Sequence, residues 1–198
     1  MIFIFLEGGC IEYFSHSILL SYVQGQKKHL YTHRSRIKEK GEVMSRVKDL
    51  QKQVHKVLKK IDDNQKRASA VAHLHGVSLA AVMIAKKRGE DPELAAMAGL
   101  LHDLYAYKSG SYEDHARKGA ILAEELLEEL ALTTDEETDI ICSAISHHDS
   151  KDEVNAPMDE VLKDADVIHH SLGDPTKEVK EHEKERFRKL SEEFGFVV

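Results

Sequence analysis

The sequence predicts an all-α protein whose single domain contains about six to seven helices, and three observations lead to this prediction. Apolar residues recur every three or four positions from Ser45 onward, which is the period of an amphipathic helix rather than of a strand. Only 3 prolines and 11 glycines interrupt the 198 residues, so long elements are expected. Two helix-start signatures, Asp91-Pro92 and Thr134-x-x-Glu137, stand before apolar segments.

The composition is that of one folded domain, with room for a tail. Hydrophobic residues make up 41% and charged residues 32% of the chain, the balance of a soluble globular protein. The formal net charge of −7 disfavours a general nucleic-acid binder, so no specific nucleic acid is expected as a partner. Cys10 and Cys142 have no metal-ligand spacing. The N-terminal MIFIFL run is too short to span a bilayer and lacks the features of a signal peptide, so we expect no membrane partner and a cytoplasmic location.

Residues 1–43 differ from the rest of the chain because they carry no sustained helical period. They contain an isolated strand signal at Ile2–Leu6 and then become basic and polar. Three interpretations are open: a short segment packed on the domain, an extension without fixed structure, or an upstream segment that precedes native translation from Met44. We favour the last two because the periodic pattern begins only near Met44. The predicted domain therefore covers residues 44–198.

Seven helices are expected to follow one another along this domain. They run from Ser45 to about Ile61, from about Gln65 to Arg88, from Pro92 to the His102–Asp103 pair, from about Ser111 to about Leu130, from Thr134 to the segment His147–Asp149, from Pro157 to Leu172, and from Asp174 to about Phe194. Residues 105–110 are expected to be a loop between the third and fourth helices. The last helix has only a thin apolar stripe, so it is interpreted as a closing helix on the surface or as a contact in a homodimer.

The third predicted helix ends in an adjacent pair, His102–Asp103, which follows small and apolar residues. Imidazole and carboxylate groups both bind divalent metals. Neighbours on a helix point about 100° apart, so two adjacent side chains can bind one ion only near a helix end, where other elements meet it. The small residues Ala95, Ala98 and Gly99 would let another helix approach closely. A metal at this point would need further ligands from the rest of the chain.

Two other predicted helices carry a histidine that could reach such a point. His73 lies four residues before Val77 on the apolar stripe of the second helix, and His75 is the competing candidate. A single histidine on an apolar stripe is also explained as a hydrogen-bonded core residue. His115 stands in the first turn of the fourth helix, where the alternative is an exposed histidine.

The fifth and sixth predicted helices supply the remaining candidates. His147 and His148 are adjacent at the end of the fifth helix, and either one could be the ligand. Asp166 lies on the apolar face of the sixth helix, with Asp164 as the weaker candidate. A carboxylate is costly to bury unless it is paired or bound to a metal, so Asp166 indicates a metal site.

In this order the candidates resemble the HD superfamily of metal-dependent phosphohydrolases, over roughly residues 65–172. The matching segments are HLHGVSLAAVMIA, AGLLHDLYAY, DHARKGAILA, AISHHD and LKDADVI. The resemblance implies an all-α HD-domain helical bundle. The first histidine of the family pattern precedes an apolar residue by four positions, which selects His73 over His75. The last aspartate of the pattern follows an alanine, which selects Asp166 over Asp164.

The resemblance also implies a divalent metal cofactor, with one or two ions of iron, manganese, cobalt, magnesium or zinc. The implied metal ligands are His73, His102, Asp103, His115, His147, His148 and Asp166. Asp103 would bridge the two ions of a dinuclear site, and His147 could instead contact substrate. Within the superfamily, the chain resembles the small bacterial proteins that hydrolyse diadenosine tetraphosphate. The motifs of cyclic-di-GMP phosphodiesterases and of alarmone hydrolases are missing from the sequence.

The implied activity is hydrolysis of a phosphoester or phosphoanhydride in a small nucleotide-type substrate by a metal-activated water. Catalytic roles are assigned to Asp103 and to the bases Lys108 and Lys151. With Arg117 and Lys118, these two lysines would hold phosphate charge near the mouth of the site, and the alternative for all four bases is a solvated surface position. Tyr105 and Tyr107 could stack on a base or pack within the loop. Two other classes are open: a metal-bound nucleotide sensor or regulatory module without turnover, and an all-α interaction protein with structural histidines. An enzyme is favoured because the chain keeps every ligand.

Overall fold

The computed structural model describes residues 45–195, and all regular structure in this range is helical. The helices are α1 (Arg46–Leu58), α2 (Asn64–Arg88), α3 (Pro92–Leu101), α4 (Leu104–Ser109), α5 (His115–Leu130), α6 (Asp135–His147), α7 (Pro157–Leu172) and α8 (Lys184–Phe194), with a short 3-10 helix at Glu181–Glu183. The predicted all-α fold class is confirmed for this part of the chain. The strand signal at Ile2–Leu6 lies outside the described residues, and the assignment of residues 1–43 stays a prediction.

Capping residues start two of the helices where the sequence predicts them. Asp91 Oδ1 accepts hydrogen bonds from the backbone N–H groups of Glu93 at 2.7 Å and Leu94 at 3.2 Å. Before α6, the Glu137 N–H donates to Thr134 Oγ1 at 3.2 Å and the Thr134 N–H donates to Glu137 Oε2 at 3.0 Å. These bonds satisfy donors that a helix start leaves unpaired. Both α3 and α6 therefore begin at a defined residue, and the candidate site lies at their other ends.

The loop predicted at residues 105–110 is wrong, because most of this stretch belongs to α4. Leu104 and Ala106 of this helix are buried, so its apolar residues pack on the core. Gly110 ends the helix in the left-handed conformation, with φ of 72°. A helix that ends at Ser109 after six residues is too short to show an apolar period in the sequence.

The last helix begins about ten residues later than the sequence predicts. Asp174 Oδ1 accepts a hydrogen bond from Thr176 Oγ1 at 2.6 Å, and the Asp174 carbonyl accepts from the Lys177 N–H at 3.1 Å. These hydrogen bonds close a tight turn at residues 174–177, and local hydrogen bonding of this kind competes with helix initiation. The helix therefore starts only at Lys184, and it buries Phe187 of the predicted apolar stripe.

Helices α2 and α3 pack at very short range because Gly99 has no side chain. A Cβ atom at Gly99 would lie 2.6 Å from the Cα of Ser78 and 2.7 Å from its backbone nitrogen. Ala98, also in α3, is fully buried. The predicted role of these small residues in close helix packing is thus visible at Gly99. The contact brings together the two elements that carry His73 and His102.

Gly99→Ala is expected to lower the free energy of unfolding by about 1–3 kcal/mol, the usual cost of overpacking a core. This expected loss of stability is opposite to the effect of helix propensity, which favours alanine over glycine by about 1 kcal/mol in a helix interior. Urea unfolding measures the change. The control Ala72→Gly changes an exposed position of α2 and should cost about 1 kcal/mol through propensity alone. A Gly99→Ala protein that is more stable than the unchanged chain would contradict the close packing.

Among the described residues, α2 is the one helix that is long and apolar enough to cross a membrane, with a mean hydropathy of 1.6 over its most apolar window. Half of that window is buried inside the protein. Leu74, Val77 and Ile84 of α2 are completely buried in the main core. We therefore interpret α2 as the central core helix of the bundle.

Candidate metal centre

The His102–Asp103 pair lies where α3 ends and α4 begins. His102 is the first residue after α3 and keeps helical backbone angles, whereas Asp103 has φ of −106° and ψ of 7°. The helix is therefore broken at Asp103, and the two side chains are released from the spacing of about 100° that a continuous helix imposes. His102 Nε2 lies 3.7 Å from Asp103 Oδ2, so the two groups face a common point.

Four side chains from distant parts of the sequence form the first ligand group, which consists of His73, His102, Asp103 and Asp166. His73 Nε2 lies 3.0 Å from His102 Nε2. It also lies 3.5 Å from Asp103 Oδ2 and 3.5 Å from Asp166 Oδ1. His102 Nε2 is 3.7 Å from the same Asp166 oxygen. Helices α2, α3 and α7 thus place two imidazoles and two carboxylates around one position.

The second ligand group consists of His115, His148 and the other oxygen of Asp103. His115 Nε2 and His148 Nε2 each lie 3.4 Å from Asp103 Oδ1, and they are 3.2 Å from each other. His115 is the first residue of α5, which starts four residues after the predicted Ser111. Asp103 therefore faces the first group through Oδ2 and the second group through Oδ1.

Hydrogen bonds fix which nitrogen of three histidines carries the proton. The Nδ1 atoms of His102, His115 and His148 lie 2.9, 2.9 and 2.7 Å from the carbonyl oxygens of Gly99, Tyr112 and Ile145. A carbonyl oxygen only accepts, so each neutral ring is protonated on Nδ1 and presents a lone pair on Nε2. The facing Nε2 atoms of His115 and His148 therefore share no proton. Lone pairs that converge in this way suit a cation.

Both carboxylates of the site are buried. Burial by itself would raise the pKa of Asp166, but the Lys151 ammonium beside it outweighs burial and holds that pKa below its usual range, so Asp166 is charged. Among the described residues, Asp103 Oδ1 and Asp166 Oδ1 have no hydrogen-bond partner. Buried anionic oxygens without donors, faced by imidazole lone pairs, fit a divalent metal ion.

Two of the predicted site residues do not join these groups. His147 Nδ1 lies 3.0 Å from Asp159 Oδ2, and the His147 side chain is 41% exposed. One step along α6 turns His147 by about 100° from His148, which explains why only His148 faces the centre. Lys108 is exposed near the end of α4. Its predicted catalytic role stays a prediction.

Lys151 has a different environment from the one that the sequence suggested. Its Nζ donates to Asp166 Oδ2 at 2.6 Å and to the His148 carbonyl at 2.7 Å, and only 6% of the side chain is exposed. A lysine paired in this way is not a free base at the mouth of the site. It neutralises the outer oxygen of Asp166, and the predicted catalytic role of Lys151 stays a prediction.

The two weaker candidates from the sequence have partners elsewhere. Asp164 lies 2.7 Å from Arg88 Nη1 and 2.8 Å from Arg186 Nη1. It therefore holds α7 to α2 and α8 by ion pairs. His75 Nε2 lies 2.9 Å from His55 Nε2, on the surface between α1 and α2. Neither residue belongs to the two ligand groups.

The sequence predicts that His169 and His170 lie at the rim of the site, but His170 lies beside the centre. His170 has a ligand atom within 4.8 Å of ligand atoms of His73 and Asp166. The signal was available, since His170 follows Asp166 by four residues and therefore lies on the same helix face. The adjacent His169 obscured this signal.

The fold and the site together define an all-α protein with a buried His/Asp cluster that can hold divalent metal. Comparison with known proteins gives the family. The sequence model of the HD domain family matches residues 70–171, just over half of the chain, so the chain belongs to this family.

A solved structure agrees with this fold. It is the crystal structure of a predicted HD superfamily hydrolase from an uncultured Thermotogales bacterium, with a TM-score of 0.51. The match has 22% sequence identity and covers 73% of this chain and 87% of that chain. At this identity the similarity supports the fold alone. No curated protein sequence matches the chain significantly.

Proposed function

We propose that this protein is a metal-dependent phosphohydrolase that acts on a nucleotide-type phosphoester or phosphoanhydride. The observation that carries the proposal is the position of Asp103, whose two oxygens face separate sets of imidazole nitrogens. This position supports the bridging role that the sequence resemblance implies. Membership of the HD domain family supports the reaction class.

The chain's own residues would prepare this centre. His73, His102 and Asp166 would hold one ion with Asp103, and His115 and His148 would hold a second. The backbone carbonyls behind His102, His115 and His148 keep the Nε2 lone pairs of these three rings pointed inward without rotation of the ring. When bound, divalent ions supply a water of lowered pKa and draw charge from a phosphoryl group.

An aromatic surface beside the centre supports a nucleotide-type substrate. The centroid of the exposed Tyr112 ring lies 5.4 Å from that of His115. The Tyr107 ring lies 6.4 Å from Tyr112 and 6.2 Å from His73, measured between centroids. Stacking of a base on an aromatic side chain is worth about 1–3 kcal/mol. A base held here would place its phosphates near the two ligand groups.

Metal analysis combined with a substrate screen tests the proposal. The purified chain should retain a transition metal, and the chelated protein should regain activity with Mn²⁺, Co²⁺ or Fe²⁺. The panel should contain nucleoside mono- and diphosphates, cyclic nucleotides, diadenosine tetraphosphate and a chromogenic phosphodiester. Release of phosphate or nucleotide that depends on added metal is the expected result.

Two results would contradict the proposal in different ways. Tight nucleotide binding without hydrolysis in the presence of any of the added metals would favour the sensor or regulatory module. A protein that binds neither metal nor nucleotide would favour an interaction protein with structural histidines.

A further inference from the structure

His170 has the same arrangement around Asp166 that His115 and His148 have around Asp103. His170 Nε2 lies 3.4 Å from Asp166 Oδ1, the oxygen that lacks a hydrogen-bond partner among the described residues. The matching distances at Asp103 Oδ1 are also 3.4 Å. A histidine one turn along α7 therefore points at the inner oxygen of a carboxylate in the first ligand group.

The other nitrogen of His170 is held by a buried carboxylate. His170 Nδ1 lies 2.9 Å from Glu183 Oε1, and the Glu183 side chain is 1% exposed. Lys180 Nζ lies 3.0 Å from the same ring nitrogen and 3.4 Å from Glu183 Oε1. The carboxylate only accepts and the ammonium only donates, so Glu183 and Lys180 compete for His170 Nδ1. Lys180 is about half exposed and can donate to water instead, whereas Glu183 is buried beside the ring. In the arrangement that Glu183 holds, Nδ1 carries the proton and Nε2 presents its lone pair to Asp166.

A glycine of α2 makes room for this end of α7. A Cβ atom at Gly76 would lie 2.0 Å from the His169 ring, so the histidine pair can approach α2 only at a residue without a side chain. The His170 ring stacks on the His73 ring, with centroids 5.4 Å apart and planes 16° apart. His73 Nδ1 lies 3.0 Å from His169 Nδ1. The end of α7 is thus packed directly against a residue of the first ligand group.

We propose that His170 is an additional metal ligand, held in position by Glu183, for the ion bound by His73 and Asp166. The proposal rests on the metal centre of the proposed function and extends it. Glu183 lies in the 3-10 helix beyond the HD domain match, which ends at residue 171. A carboxylate behind a ligating histidine fixes its tautomer and raises its basicity, and loss of such a group lowers metal affinity about 10–100-fold. The segment after α7 would therefore raise the metal affinity of a site whose ligands all lie within the HD domain match.

Metal binding to the full-length, chelator-stripped protein tests this inference without reference to turnover. We expect His170→Ala to weaken Mn²⁺ binding at one step of a calorimetric titration by about 10–100-fold, and Glu183→Gln by about 10-fold. The Co²⁺ absorption spectrum should change in His170→Ala, because the ligand set changes. The control His147→Ala removes a histidine bonded to Asp159 and should change neither affinity nor spectrum.

The outcomes separate this inference from the proposed function. Wild-type affinity and an unchanged Co²⁺ spectrum in both His170→Ala and Glu183→Gln would overturn the role of His170, even if the enzyme hydrolyses nucleotides. Weakened binding in both variants would support it, even if no substrate is found. Glu183→Gln preserves size, so it keeps the test decisive if His170→Ala fails to fold.

Discussion

Asp103→Ala is expected to abolish metal-dependent hydrolysis, with a fall in kcat/KM of at least about 10³-fold, or roughly 4 kcal/mol of transition-state stabilisation. The substitution removes Oδ2 from the first ligand group and Oδ1 from the second. No other described residue faces both groups in this way. The variant should also lose metal from both groups, measured by elemental analysis after dialysis. The helical fold should survive, because the packing of α2, α3 and α7 does not depend on this carboxylate.

The chain contains a matched control for this experiment. Asp149 follows His148 at the end of α6 just as Asp103 follows His102 at the end of α3, but Asp149 is exposed. Asp149→Ala should therefore leave metal content and hydrolysis near the values of the unchanged protein. An active Asp103→Ala enzyme, or equal losses in the two variants, would rule out the bridging role of Asp103.

The helices that carry the central residues could be predicted from local sequence signals, whereas the choice of His73 over His75 and of Asp166 over Asp164 came from the family resemblance. Small and apolar residues set the helix period, and the capping residues Asp91 and Thr134 set where α3 and α6 begin. Once these helices are defined, His102 and His148 must lie at helix ends. The predicted boundaries of α2 and α7 agree with the structure to within one residue, so His73 and Asp166 lie on the expected faces.

The features that were not predicted depend on contacts between distant segments. Nothing near Lys151 in the sequence shows that its ammonium lies 2.6 Å from Asp166. The partner of His170 is Glu183, whose burial depends on how the chain after α7 folds back. The sequence Asp174-Pro175 is compatible both with the start of a helix and with a closed turn. The hydrogen bond between the side chains of Thr176 and Asp174 favours the turn, and the sequence does not show that this bond forms. Periodicity identifies faces of helices, but it does not identify partners.

Lys151→Met is expected to lower the free energy of unfolding of the metal-free protein by about 3–5 kcal/mol, the cost of removing one partner from a buried ion pair. The methionine leaves the Asp166 carboxylate buried without its lysine. The pKa of Asp166 is depressed in the folded protein, so the pair stabilises above the ordinary aspartate value of 3.8 and loses this effect as the pH falls through the lower folded pKa. The loss in Lys151→Met should thus be full at pH 7. Urea unfolding in the presence of a chelator measures it.

Three comparisons identify the cause of that loss. Lys108→Met removes an exposed lysine for which the sequence predicted the same role, and it should change stability by no more than about 0.5 kcal/mol. The double variant Lys151→Met/Asp166→Asn removes the unpaired charge as well and should recover a large part of the loss. Added Mn²⁺ should reduce the loss in the single variant, because an ion in the first ligand group supplies positive charge beside Asp166. If the double variant is less stable than Lys151→Met, or if Mn²⁺ has no effect, the pair does not compensate charge at a metal centre, and Lys151 contributes through packing alone.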